Sequence, residues 1–391
     1  MTLKKLLADS RAMPKPSTSK GSVGQPMPRR EAHVCATEPN FSGLRWEADA
    51  SPLAESRLEP RWPPLNDEEI DVRRRLDSLD ALNRRARDDA FGIDDLDWSL
   101  AVDHAKPWEP EELGSLWFVP SFAALDAEQR RRCNQLHALG VCEQFVWFEH
   151  HLIRAIGNVL RGARLPAPLD EALRHFISEE QKHIAMFWRL LEKSEPGWYR
   201  VRSPRLFRAS PLHQFMMDRV AANPRTLIAW VWLAILVEER TLFISRLHLQ
   251  AAKRAPGQID ALHAQVHGFH FRDEARHYHL DQHLLTWLYD PQPQWKKKLS
   301  AFMFRQVMRS FVGARRTAVR ILAQLGREFP ALRADVLPRI FAELREVGRN
   351  PRYHLKHFSR AAQPHTLALL AEYPEHDRLW ELLPAAQRRT A

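Results

Sequence analysis

The sequence has very little cysteine: three residues, Cys35, Cys133 and Cys142, in a chain of 391. They show no metal-binding spacing and cannot all pair, which argues against a secreted disulfide scaffold. Cys133 and Cys142 fall within a helical pattern and read as packing residues. Long apolar runs are missing as well. The longest, "LIAWVWLAILV" at 227–237, falls well short of the roughly 20 residues needed to span a bilayer, so no membrane partner is expected. The stretch "MTLKKLLADSRAMPKPSTSKG" has no apolar signal core, and a soluble, reducing, cytoplasmic setting is the expectation. Glycine-rich phosphate loops and alternating strand patterns are absent. So are zinc-finger, RNP and basic-zipper patterns. The net charge of +10 and pI of about 9.8 therefore read as an arginine-rich surface, with no nucleic-acid partner.

Helical periodicity fills most of the chain. It predicts helices near 126–161, 168–193, 211–221, 225–254, 257–287 and 296–326, with shorter ones near 329–346 and 363–384. The breakers "LRGARLPAPLD", "SEPGW", "NP", "RAPG" and "DPQPQ" stand between them. Residues 1–65, rich in Pro, Ser and Arg, read as a disordered or loosely packed tail. Residues 66–125 read as an N-terminal wrap that opens with a charged amphipathic helix over 66–90 and continues irregularly. The core is expected over 126–290 and a helical extension over 291–391. The class is all-α, a four-helix bundle with additional helices.

The segment "VHGFHFRDEARHYHLDQH", 266–283, crowds imidazole against acid. It contains Glu274-x-x-His277, and "SEEQKH" contains Glu180-x-x-His183. At this spacing both side chains share one helix face and can hold one metal between them. About one Glu in twenty would have such a His by chance, so the pair alone is weak. What strengthens it is the acid on each preceding helix. Glu149 lies on a face otherwise made of Cys142, Phe145, Val146, Leu152, Ile153 and Ile156, where an unpaired carboxylate is costly. Glu149 is 13 residues before Gly162, and Glu180 is 12 residues after Pro168, so the two meet at one level. Glu143 would sit about six residues too low and ranks second. In the second half, Glu239 to Pro256 and Gly257 to Glu274 are both 17 residues. This counting does not separate Glu238 from Glu239. The segment "ERTLFIS" resembles one found in diiron acyl-carrier-protein desaturases, which favours Glu239.

Carboxylate and imidazole donors suit iron, with manganese possible, and leave positions for dioxygen. Glu179 and Asp273, just before the ligands, could accept a proton from a ligand imidazole. His270 falls one turn before Glu274 and would add a third imidazole; His263 and His267 lie further along and read as core residues. Phe145, Phe148, Phe187 and Phe269 are candidates for the lining of a substrate pocket.

With these motifs, residues 95–290 resemble the p-aminobenzoate N-oxygenase (arylamine oxygenase) family of ferritin-like diiron proteins. Its ligand pattern would fall on Glu149, Glu180, His183, Glu239, His270, Glu274 and His277. The His-x-x-x-Glu-x-x-His element is the most discriminating part. The resemblance implies a ferritin-like bundle, often a homodimer, holding two iron ions. It implies a dioxygen-activating oxygenase that converts an aromatic amine towards nitroso or nitro products through a peroxo-diferric species, with an external electron donor. A diiron oxidase or hydroxylase of another small substrate and a non-oxygenase iron-handling protein are the alternatives.

Overall fold

The computed structural model describes residues 77–387 apart from 163, 210, 223–227, 229–230 and 314. The tail expected at 1–65, Cys35 and the start of the helix expected over 66–90 lie outside these residues. The described part of the chain is helical, with no strand among the described residues. A short helix α1 (Leu79–Asp88) is followed by 3-10 turns between residues 93 and 124. Then come the long helices α2 (Ala127–Gly162) and α3 (Ala167–Ser194), the short α4 (Pro211–Ala222), and the long helices α5 (Val231–Arg254) and α6 (Ala261–Leu284). Beyond a π turn at Leu285–Tyr289 lie α7 (Gln294–Gly313), α8 (Arg315–Glu328), α9 (Val336–Glu343), α10 (Pro351–His357), α11 (Pro364–Ala371) and α12 (Pro384–Gln387). The helix expected over 296–326 corresponds to α7 and α8, on either side of residue 314, which lies outside the described residues, and α10 was not expected. No helix among the described residues is long and apolar enough to cross a membrane.

Helices α2, α3, α5 and α6 form a ferritin-like bundle: α2 packs on α3, α5 on α6, and α3 on α6. Their ends follow local rules. A reciprocal pair starts α2, with Gln129 N donating to Asp126 Oδ1 (2.8 Å) and Asp126 N donating to Gln129 Oε1 (3.1 Å). Asp260 caps α6 by accepting from His263 N (2.9 Å), and its other oxygen accepts from Asp103 N (2.7 Å). One carboxylate thus fixes the start of α6 and anchors the N-terminal wrap to it. Between α5 and α6 the chain turns at Gly257, whose φ of 83° suits a residue without a Cβ.

Every residue from Val231 to Glu239 in α5 is buried. An all-round apolar helix needs cover on its outer side as well, and α11 supplies it. Glu239 accepts from the backbone N–H groups of His365 (2.8 Å) and Thr366 (2.7 Å) in the first turn of α11. Free Cys133 and Cys142 are buried in α2, as packing residues should be.

Glu143 is buried for a different purpose. Its carboxylate accepts from Tyr199 Oη (2.6 Å) and from the N–H groups of Arg205 (2.7 Å), Leu206 (2.8 Å) and Phe207 (2.6 Å). It clamps the segment between α3 and α4 against α2. A buried N–H that loses its acceptor costs about 1–3 kcal/mol. Glu143→Leu is therefore expected to lower unfolding free energy by about 3 kcal/mol or more in urea titration. Its iron content should stay at the wild-type level; loss of iron instead would assign Glu143 to the metal centre.

Candidate metal centre

Glu149 of α2, Glu180 and His183 of α3, and His270, Glu274 and His277 of α6 converge at mid-bundle, all buried. Two overlapping groups result. Glu149, His183, His270 and Glu274 form one; Glu180, His183, Glu274 and His277 form the other. Within each, one donor atom per residue lies within 4.8 Å of the rest. Glu274 is central: its Oε1 is 2.8 Å from His270 Nε2, 3.3 Å from His183 Nδ1 and 3.7 Å from His277 Nδ1. Glu180 Oε1 is 2.8 Å from His277 Nδ1, and Glu149 Oε1 is 3.4 Å from His270 Nε2.

The far side of each ring is held. His183 donates through Nε2 to Asp273 Oδ2 (3.1 Å), and His277 through Nε2 to Glu179 Oε2 (2.9 Å). The pairing is crossed: the acid leading each Glu-x-x-His motif holds the imidazole of the other motif. Arg276 binds both acids, Glu179 Oε1 at 2.6 Å and Asp273 through its Oδ1. Lys182 Nζ adds a contact to Asp273 Oδ2 (2.7 Å). His270 Nδ1 meets Ser245 Oγ at 3.3 Å. With their outer nitrogens fixed, the three rings turn His183 Nδ1, His270 Nε2 and His277 Nδ1 inward. These three atoms and both oxygens of Glu149 and of Glu180 are buried without a hydrogen-bond partner. Buried polar atoms gathered in such numbers without hydrogen bonds fit a bound cation pair and are hard to reconcile with plain packing.

Electrostatics agree. Burial pulls the His183 imidazolium down, but Asp273, Glu180 and Glu274 overcome it and hold its pKa well above the ordinary value. Burial likewise opposes charge on His277, and Glu180, Glu179 and Glu238 raise it well above. Burial pushes the Glu149 carboxyl up to about 7. Burial and then the neighbouring Glu274 carboxylate push Glu238 well up. Without metal the cluster therefore stores protons on the donors that a cation needs bare. Because the folded-state imidazole values are raised, the protons compete hardest below them and leave as pH climbs through them. Iron(II) titration near neutral pH is expected to release protons, with apparent affinity rising as pH rises from 6 towards 8. A pH-independent affinity without proton release would contradict this.

Six of the seven residues expected as ligands are brought together. Glu239 is not: its carboxylate is turned outward to the start of α11. The neighbouring Glu238 points inward, with Oε2 3.6 Å from His277 Nδ1. Successive helix positions differ by about 100°, so only one of the two can face the cluster. The missed signal is a polar stripe: Glu238, Thr241, Ser245 and His248 share the buried face of α5. Thr241 Oγ1 donates to Glu274 Oε2 (3.0 Å), and Ser245 reaches His270. His263 and His267 serve the core as expected. His263 Nε2 pairs with Ser194 Oγ (3.0 Å), and His267 stacks on His248 with ring centres 3.8 Å apart.

Beside the cluster lies a cavity of about 490 Å³, walled by residues of α2, α5, α7, α8 and α10 among others. Phe145 and Phe148 line it; of the other two aromatic candidates, Phe187 packs on His270 and Phe269 on Phe91. Phe145 also stacks on the His270 ring, centres 5.4 Å apart, so the inner wall of the cavity is one side chain from the cluster.

A ferritin-like bundle whose four helices converge carboxylates and imidazoles on one buried point defines the class of carboxylate-bridged dimetal proteins. Residues 73–336 match the family model described as p-aminobenzoate N-oxygenase AurF. The chain belongs to that family. Comparison with curated proteins gives no match.

Proposed function

We propose that the cluster holds two iron ions and that the protein uses dioxygen to oxidise the nitrogen of an aromatic amine. The observation that carries this reading is the set of three inward-facing ring nitrogens, gathered with buried carboxylates yet without a hydrogen-bond partner, in a member of the N-oxygenase family. We assign Glu149, Glu180, His183, Glu238, His270, Glu274 and His277 as the residues that hold the metal. Bound iron would supply dioxygen activation, chemistry that no side chain provides.

The protein's own contributions are separate. Asp273, Glu179 and Ser245 fix the rings through their outer nitrogens, so donor positions need not be reorganised when metal arrives. Thr241 steadies the Glu274 carboxylate by hydrogen bonding to Oε2. The apolar residues around Phe145 wall the side from which the amine would approach. An organic-sized cavity against the cluster favours an oxygenase over an iron store, and an external donor must supply the electrons.

The test is reconstitution with iron(II), Mössbauer spectroscopy and exposure of the reduced protein to dioxygen with a panel of arylamines. About two irons per chain, as for other bundles of this donor set, and hydroxylamine, nitroso or nitro products are expected. Iron mineral accumulating without amine oxidation would overturn the proposal, as would products hydroxylated at carbon only.

A further inference from the structure

The cavity beside the cluster has a size and a charge that a single-ring amine does not use. A void of about 150 Å³ accepts a benzene-sized guest. The cavity here, at about 490 Å³, has room for roughly three such rings and falls within the range for extended organic ligands. Toward the cluster the wall includes Phe145, which stacks on His270. The cavity also reaches the surface, because Arg208, Arg309 and Arg316 line it and are exposed.

The charge is one-sided. Among the described residues, the lining includes four arginines, Arg208, Arg240, Arg309 and Arg316, and no Asp or Glu. Arg240 is the most informative. It is partly buried, and its hydrogen bonds go to neutral groups: the His357 carbonyl (3.1 Å) and His357 Nδ1 (2.8 Å). The rings of Phe243 and Phe358 flank its guanidinium at 5.8 and 5.7 Å. No described carboxylate forms an ion pair with Arg240. Guanidinium groups take carboxylates in paired hydrogen bonds, and a partly dehydrated one gains more from such an anion than a solvated one does.

Resting on the N-oxygenase reading, we propose that the substrate is an extended aromatic acid, longer than one ring, with its amine at the Phe145 end and its acidic group held by the cavity arginines. Arg240 is the wall contact, and Arg208 and Arg309 guide the acid at the rim. The apolar walls between them, including Val237, Phe148 and Phe358, take the intervening rings.

The experiment is calorimetric binding to the iron-loaded protein under argon, with three probes. One is a two-ring acid, aminobiphenyl carboxylate with its amine and acid at opposite ends. The second is p-aminobenzoate, with one ring and an acid. The third is aminobiphenyl, with two rings and no acid. The two-ring acid is expected to bind at least about tenfold more tightly than either other probe. Arg240→Gln should remove about tenfold of that affinity while leaving aminobiphenyl unchanged. The rim double variant Arg208→Ala/Arg309→Ala alters only exposed side chains, so folding is not at stake, and should weaken the acid selectively and reduce its salt dependence.

Equal affinity for p-aminobenzoate, equal affinity for the neutral amine, no binding of any probe, or equal loss of all three ligands in both variants would each overturn the inference. Selective binding of the two-ring acid without N-oxidation would leave the inference standing and sink the proposed reaction. N-oxidation confined to short neutral amines would do the reverse.

Discussion

Glu238→Ala protein is expected to purify with almost no iron, and Glu239→Ala protein with nearly its full complement. The two residues are adjacent in sequence and both buried, so neither composition nor exposure distinguishes them. Direction does. The Glu238 carboxylate faces His277 and raises its pKa together with Glu180 and Glu179. On the proposed assignment, losing it removes a donor from the cluster itself. Iron affinity should fall by more than the roughly 10–100-fold that loss of an outer hydrogen-bond partner costs, with arylamine oxidation falling alongside. Glu239 instead accepts two backbone N–H groups of α11. Its removal leaves both donors without an acceptor, at about 1–3 kcal/mol each. The Glu239→Ala variant should therefore melt several degrees lower yet titrate with iron as the wild type does. Iron analysis and thermal melts of the two variants decide it; the opposite pattern would reverse the assignment.

Arg276→Ala is expected to be the most damaging change outside the proposed metal-binding residues themselves. Arg276 is buried and holds Glu179 and Asp273 together. These acids hold His277 and His183. Without the guanidinium, Lys182 still neutralises Asp273 (2.7 Å), but Glu179 loses its arginine. Breaking a buried ion pair from one side costs about 3–5 kcal/mol. Both imidazoles also lose orientation, which should weaken iron binding about 10–100-fold. Urea unfolding of the metal-free protein reads the first effect, and competition with a chelator the second. Unchanged stability and unchanged affinity together would show that the crossed pairing is incidental.

Much of the bundle was legible because helical periodicity and breakers act locally. The two Glu-x-x-His motifs were legible because i, i+3 spacing needs no tertiary information. Glu149 could be found by counting back from Gly162, since an antiparallel pair with a short connection keeps register. Counting fails at Glu238 and Glu239 because a shift of one residue changes height by only about 1.5 Å while turning the side chain by about 100°. The facing of α5 is legible only from its polar stripe, and the resemblance of "ERTLFIS" to another family's segment drew the choice to the outward residue. Other features are non-local. The cavity arginines come from stretches around 208, 240 and 309–316, and nothing in the local pattern of any one stretch shows that they line one cavity.

The crossed pairing of Glu179 with His277 and of Asp273 with His183 constrains how such a chain can drift. The connections between helices can lengthen or shorten, because none of their described residues is a donor of the cluster or holds one of its rings. The windows 179–183 and 273–277 cannot tolerate insertion or deletion. One added residue in either would swing a ring by about 100° and at the same time strand the acid that steers the ring on the opposite helix. A single indel in one window thus disables both halves. Relatives that keep this chemistry are expected to vary freely in loop length and terminal extensions while those two five-residue windows pass unchanged in length.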